Sequence, residues 1–130
     1  LVIFLFSSSA FSGDNTSRII GPILKWISPG ISNESIAFVQ FFLRKTAHII
    51  EYAFLAILLC NAIVRRLKEF SAKVLIVRSV FISLIYAASD EWHQSLSAGR
   101  IGSLMDISID GVGALFGALS FLWIFKYKQK

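Results

Sequence analysis

The sequence predicts an all-α fold, a polytopic membrane bundle of about four transmembrane helices with a short amphipathic helix at the membrane interface. Of its 130 residues, 55% are hydrophobic and 16% are charged, and the mean hydropathy is +0.69. A soluble domain is typically about 45–50% apolar and about 25% charged. Three long apolar runs also approach the roughly 20 residues that cross a bilayer. The lipid bilayer is therefore the first partner that the sequence predicts.

The membrane segments follow one another within a single domain, residues 1–130. The first, residues 1–6, is a truncated helix that ends at three successive serines. The second covers about residues 46–64, the third 72–89 with a continuation through residue 94, and the fourth 107–125. The third segment contains Arg78, which lies near one end, where a long side chain reaches the interface.

Two short helices are predicted between the first and second segments. Apolar residues at near-helical spacing predict the first of them, which would lie in the membrane interface. These residues are Ile19, Ile20, Ile23, Leu24 and Ile27. Pro29 and Gly30 end this helix. Asn33 is the predicted N-cap of the second short helix, which leads to Arg44.

Basic residues near the helix ends predict the orientation, because cytoplasmic loops of membrane proteins are enriched in lysine and arginine. The loop after the second segment and the C-terminal tail carry Arg65, Arg66, Lys68, Lys73, Lys126, Lys128 and Lys130. The opposite side carries Arg18, Lys25, Arg44, Lys45 and Arg100. This bias predicts a multi-pass protein with both termini in the cytoplasm. The polar ends of the last three segments then share the non-cytoplasmic side.

The net charge of +5 does not indicate a nucleic-acid partner, because the basic residues flank apolar runs and form no continuous patch. The single Cys60 excludes an internal disulfide. No cofactor is predicted and no metal ligands are assigned, although histidines and carboxylates from different helices are residue types that ligate transition metals. The oligomeric state is left open.

The second segment begins with polar residues on one helical stripe. Lys45, His48 and Tyr52 are spaced i, i+3 and i+7, and Glu51 follows His48 by three. A histidine titrates near neutrality and a lysine supplies a fixed positive charge, so the group fits proton exchange or anion binding. The alternative is anchoring of the helix end at the lipid headgroups, which suits Arg44 better than the deeper His48 and Glu51.

The third segment ends in Asp90-Glu91-Trp92-His93-Gln94. Asp90, His93 and Gln94 share a predicted helix face, whereas Glu91 points elsewhere or toward a neighbouring helix. Two adjacent carboxylates with a histidine fit acid–base chemistry or the binding of a hard cation. Trp92 fits the aromatic belt at the interface.

The fourth segment carries one stripe of small and acidic residues. Asp106, Asp110, Gly113 and Gly117 are spaced i, i+4, i+7 and i+11. A G-x-x-x-G pair allows another helix to approach closely, so this stripe faces protein and carries Asp110 with it. An inward aspartate needs a partner. The candidates are Arg100, Lys45 and His48. Asp106, near a helix N-terminus, has a purely structural alternative in the helix dipole.

These motifs, in this order, resemble the VanZ-like family of small bacterial membrane proteins. The resemblance spans residues 44–117 and rests on Arg44-Lys45-x-x-His48-x-x-Glu51-Tyr52, Asp90-Glu91-x-His93-Gln94, Gly99-Arg100, Asp106 and Asp110-Gly111-x-Gly113-Ala114-x-x-Gly117. The resemblance implies a helical protein of the bacterial inner membrane. It also implies a link to low-level resistance to teicoplanin, a lipoglycopeptide that attacks cell-wall precursors.

Three functions remain open on the sequence. The first is a protein that acts on or binds a lipid-linked envelope component or a lipoglycopeptide at the non-cytoplasmic face. Its candidate catalytic residues are His48, Glu51, Asp90 and Glu91, and its candidate binding residues are Lys45, Tyr52, His93, Gln94, Arg100, Asp106 and Asp110. The second is a non-enzymatic scaffold or partner-binding module whose polar network only locks the helices. The third is a proton-coupled transporter.

Overall fold

The computed structural model describes residues 13–67, 71–95 and 103–128, and these residues form four α-helices. We number them α1 (Gly13–Ile27), α2 (Asn33–Arg66), α3 (Ala72–Ser95) and α4 (Leu104–Lys128). The predicted all-α class is confirmed. The predicted first membrane segment, residues 1–6, lies outside the described residues. The third and fourth segments correspond to α3 and α4, which extend slightly beyond the predicted bounds.

Helix α2 differs from the prediction of a short helix followed by a separate membrane segment. It runs without a break over 34 residues, or about 51 Å at 1.5 Å per residue. The predicted N-cap was also wrong, because Ser32 and not Asn33 caps the helix. The Ser35 N–H donates to Ser32 Oγ at 3.1 Å, and the Ile36 N–H donates to the Ser32 carbonyl at 3.1 Å. No glycine or proline interrupts residues 33–66, so nothing local ends the first helical run.

The chain divides into two compact units, Leu1–Ala47 and His48–Lys130. In the first unit α1 confirms the predicted short helix, which ends at Ile27 just before Pro29 and Gly30. The Ile31 N–H then donates to the Ser28 carbonyl and closes the turn. Gly21 of α1 faces the side chains of Gln40 and Ile36, with Ile36 buried.

In the second unit α2 and α4 run parallel at very short range. A Cβ placed on Gly113 would lie 2.5 Å from the Ile49 carbonyl oxygen, and one placed on Gly117 would overlap the Ala53 backbone. The predicted G-x-x-x-G stripe therefore does face protein, since only glycine permits this approach. The one-turn steps from Ile49 to Ala53 and from Gly113 to Gly117 match, which sets the parallel direction.

Helix α3 runs antiparallel to both. Cys60 Sγ of α2 lies 3.1 Å from Ser79 Oγ near the start of α3, whereas Glu91 near its end reaches Ser103 before α4. An apolar core made of small residues and one leucine includes Cys60. Its fully buried members are Ala56, Cys60, Leu75, Ala114 and Ala118.

Three of the described helices are long and apolar enough to cross a membrane: Asn33–Arg66, Ala72–His93 and Leu104–Phe125. Most of their large apolar side chains are exposed, Phe54, Phe81 and Phe116 among them. Such a surface would be unstable in water and is suited to contact with lipid. The chain is thus a membrane protein, and the charged residues that its described helices bury are Asp90, Glu91 and Asp110.

Candidate functional site

The centre of the candidate site is a contact between a histidine of α2 and an aspartate of α4. His48 Nδ1 lies 3.2 Å from Asp110 Oδ1. The parallel packing at Gly113 brings the two residues together, because His48 precedes Ile49 and Asp110 precedes Gly113 by one turn. Of the partners predicted for Asp110, the structure brings His48 to it. The Asp110 side chain is 4% exposed and the His48 side chain 17%.

Glu51, Tyr52 and Asp90 surround this pair. Tyr52 is fully buried and Asp90 is 4% exposed, whereas Glu51 is partly exposed. The carboxylates of Asp110 and Asp90 lie close enough to Tyr52 to act on it electrostatically, as they do on Glu51. Acids predicted on three separate membrane segments therefore do converge.

Glu91 has a definite contact within the described residues. Its Oε1 accepts a hydrogen bond of 2.7 Å from the Ser103 N–H, at the start of α4. The Asp106 and Ile107 N–H groups both donate to the Ser103 carbonyl, so Ser103 caps the helix. A carboxylate at a helix N-terminus also interacts favourably with the helix dipole. Glu91 therefore joins the end of α3 to the beginning of α4.

His93 and Asp106 lie toward the edge of this group. The predicted common face of Asp90 and His93 was wrong as far as burial is concerned, because Asp90 is buried and His93 is exposed. The 100° step per residue turns His93 away once Asp90 and Glu91 both point inward. Asp106 is half-buried in the first turn of α4, where its charge acts on His48.

The predicted site residues also include Lys45, Arg100 and Gln94. Lys45 belongs to the first unit, where its Nζ lies 5.3 Å from the centre of the Phe41 ring. Arg44 approaches the same ring at 6.0 Å. Both distances fit cation–π interactions. Arg100 and the Gln94 side chain lie outside the described residues.

Charge is separated along the second unit. Its described carboxylates all lie at the end that contains His48, the last turns of α3 and the first turns of α4, which we call the acidic end. They are Glu51, Asp90, Glu91, Asp106 and Asp110. Its described lysines and arginines all lie toward the opposite, basic end. They are Arg65, Arg66, Lys73, Arg78, Lys126 and Lys128.

Two buried serines of α3 were missed by the sequence analysis. Ser79 and Ser83 are at most 1% exposed and precede Asp90 on the same face of the helix. Their four-residue spacing, continued by Asp90 after seven more residues, is the signal that could have revealed them. Ser79 pairs with Cys60, whereas no described residue forms a hydrogen bond with Ser83 Oγ.

The acidic end has the groups required for proton transfer. A histidine held against a carboxylate can accept a proton, and the partly exposed Glu51 lies beside it. The same oxygen atoms can accept hydrogen bonds from a polar ligand. Either role requires a ligand to reach His48 and Glu51, which form the accessible edge of the buried group.

Comparison with known proteins gives one match. Residues 1–126 match the sequence model of the VanZ/LLP1 family. The comparisons with curated proteins and with solved structures produced no match. The family match covers nearly the whole chain and includes every motif that carried the resemblance. The protein therefore belongs to the VanZ/LLP1 family and is a VanZ-type membrane protein.

Proposed function

We propose that this protein binds the polar headgroup of a lipid-linked or amphipathic envelope component at the non-cytoplasmic face of the bacterial inner membrane. The observation that carries the proposal is the contact of His48 with Asp110 beside the buried Asp90. Ionisable groups within membrane helices cost about 2.5–3.5 kcal/mol each on insertion scales. Residues this costly, gathered from three helices, favour a functional site.

The charge separation of the second unit supports the orientation. Its basic end is the end that the positive-inside rule assigns to the cytoplasm, which supports an outward-facing acidic end and a cytoplasmic C-terminus. A cytoplasmic N-terminus would also require the predicted first segment to cross the membrane. A lipid-linked cell-wall precursor or a lipoglycopeptide such as teicoplanin would meet the protein from that side. The family link to teicoplanin resistance is the reason for naming this class of ligand.

Chemistry at the bound headgroup would use the same residues. His48 or Glu51 would act as the base. Asp110, which is in contact with His48, would support the positive charge that develops on it, and Asp90 acts electrostatically on Asp110 in turn. Glu91 contributes less directly, because its carboxylate is hydrogen-bonded to the start of α4.

This proposal is tested by measuring teicoplanin susceptibility in a bacterial host that the unsubstituted protein protects from the drug. We expect His48→Gln and Asp90→Asn each to abolish the protection, with normal amounts of folded protein in the membrane. Glu34→Gln, which changes an exposed acid in the first turn of α2, serves as the control and should retain it. Full protection by well-folded His48 and Asp90 variants would contradict the proposal.

A non-enzymatic scaffold is the second candidate, and the hydrogen bond from Ser103 to Glu91 favours it. In that case the polar residues only lock α3 to α4 and α2 to α4. Every substitution that lowers protection would then lower the thermal stability in parallel. A variant that loses protection at unchanged stability would exclude the scaffold.

A further inference from the structure

We propose that the acidic end binds a primary ammonium group of its ligand. The inference rests on the proposed function and deepens it, because it specifies that the headgroup carries an amine. The ammonium could belong to a lipid headgroup or to a soluble amine, and the two sources share the same chemistry.

The first argument is the sign of the charge. All described carboxylates of the second unit lie at the acidic end, and its described lysines and arginines lie toward the other. The charged side chains that are buried among the described residues are Asp90, Glu91 and Asp110, and all three are acidic. Within a membrane such an excess of negative charge is costly unless a cation balances it.

The second argument is a buried hydroxyl that lacks a partner. Tyr52 is fully buried, and no described residue forms a hydrogen bond with its hydroxyl group. Asp110, Asp90 and Glu51 all act on it electrostatically, so it lies among the carboxylates. A buried hydroxyl without a partner costs about 1–3 kcal/mol, which a phenylalanine at this position would avoid. A bound group that used this hydroxyl would remove that cost.

An ammonium group complements these atoms. It carries three hydrogen-bond donors and no acceptor. The carboxylates of Glu51 and Asp110 and the Tyr52 hydroxyl oxygen are acceptors. A phosphate placed among the same oxygens would instead be repelled. His48 and Glu51 form the partly exposed edge, so the cation would meet them first and then the deeper Tyr52 and Asp110.

Thermal unfolding of the full chain in detergent tests the inference. The probes are phosphatidylethanolamine, phosphatidylcholine, phosphatidylglycerol and free ethanolamine, each titrated separately. A ligand that binds only the folded state raises the unfolding temperature with concentration. We expect phosphatidylethanolamine to raise the unfolding temperature. Phosphatidylcholine, whose methylated nitrogen has no N–H donor, should have little effect, and so should phosphatidylglycerol. If saturating ethanolamine raises the unfolding temperature as much as phosphatidylethanolamine does, the amine alone is sufficient for binding, which supports the inference.

Two variants assign the effect to the acidic end. Tyr52→Phe removes only a hydroxyl that forms no hydrogen bond with the described part of the chain, so its unfolding temperature without lipid should not fall. Its apparent affinity for phosphatidylethanolamine should fall about tenfold, as expected for the loss of a hydrogen bond to a charged group. Asp110→Asn should lose the response, and Glu34→Gln should keep it. If Asp110→Asn does not fold, the affinity of Tyr52→Phe for phosphatidylethanolamine alone decides the test.

The outcomes separate this inference from the function on which it rests. Equal stabilisation by all three lipids, or by phosphatidylglycerol alone, overturns the ammonium site but leaves headgroup binding in place. If Tyr52→Phe and Asp110→Asn are both still stabilised by phosphatidylethanolamine, the ammonium group does not bind at the acidic end. The absence of any response, with protection from teicoplanin still dependent on His48, overturns the ammonium inference alone.

Discussion

His48 and Asp110 support each other because neither side chain can be solvated well between packed membrane helices. Their ring nitrogen and carboxylate oxygen lie 3.2 Å apart. Removing one partner of a buried pair leaves the other without compensation, so single substitutions overstate the strength of the interaction. The coupling between the two residues is the quantity that describes the contact.

A double-mutant cycle measures this coupling. We expect His48→Gln and Asp110→Asn to be non-additive by about 0.5–3 kcal/mol in the free energy of unfolding in detergent, because the two groups are in contact. Glu34→Gln combined with Asp110→Asn provides the control and should be additive, since these residues belong to different units. Additivity of the His48 and Asp110 substitutions would mean that the contact does not contribute to stability.

Ser79 and Ser83 provide a second comparison at the scale of single atoms. Both are buried in α3, but within the described ranges only Ser79 has a hydrogen-bond partner, Cys60 Sγ at 3.1 Å. Ser79→Ala should therefore cost up to about 1 kcal/mol in the free energy of unfolding. Ser83→Ala should be neutral or stabilising, and equal losses at the two positions would contradict the assignment of partners.

At the scale of the helices, spacing predicted burial where the stripe was long and failed where it was short. Asp110, Gly113 and Gly117 span two turns, and the structure buries all three. Asp90 and His93 span less than one turn, so their common face could not be defined from spacing alone. The pairing of Glu91 with Ser103 joins residues twelve positions apart across a loop, which no periodicity reveals.

The start of α2 illustrates the same limit. Ser32 and Asn33 are both good capping residues, so propensity could not choose between them. Ser32→Ala should lower the free energy of unfolding by about 1 kcal/mol, because it removes the acceptor of the Ser35 N–H. Asn33→Ala should change it by less than about 0.5 kcal/mol. Circular dichroism during denaturant titration would measure both, and the reverse order would refute Ser32 as the cap.

The close approach of α2 and α4 depends on two glycines. A methyl group at Gly113 or Gly117 would collide with the backbone of Ile49 or Ala53, which cannot move aside as a side chain can. Gly113→Ala and Gly117→Ala should each lower the free energy of unfolding by about 1–3 kcal/mol. Gly30→Ala is the matched control, because nothing lies within 4 Å of its added Cβ. A loss at Gly30 as large as at Gly117 would contradict this explanation.

For the whole molecule, composition predicted the membrane class and the order of polar motifs predicted the family. The contacts between helices then defined their relative directions. These directions place the described carboxylates at one end of the second unit and its described basic residues toward the other. The sequence could suggest this separation only through the positive-inside rule. It could not identify the partner of Asp110 among three candidates, since that depends on the register of α2 against α4.

The central claim is that the acidic end faces outward, where an envelope component can reach it. Cysteine labelling of intact cells tests it, because Cys60 is the only native cysteine and Cys60→Ala removes the background. In that variant, Ser95→Cys marks the acidic end and Arg66→Cys the basic end, and both positions are exposed. A membrane-impermeant maleimide should label Ser95→Cys in intact cells and Arg66→Cys only after lysis. Labelling of Arg66→Cys in intact cells, with Ser95→Cys protected until lysis, would contradict the account.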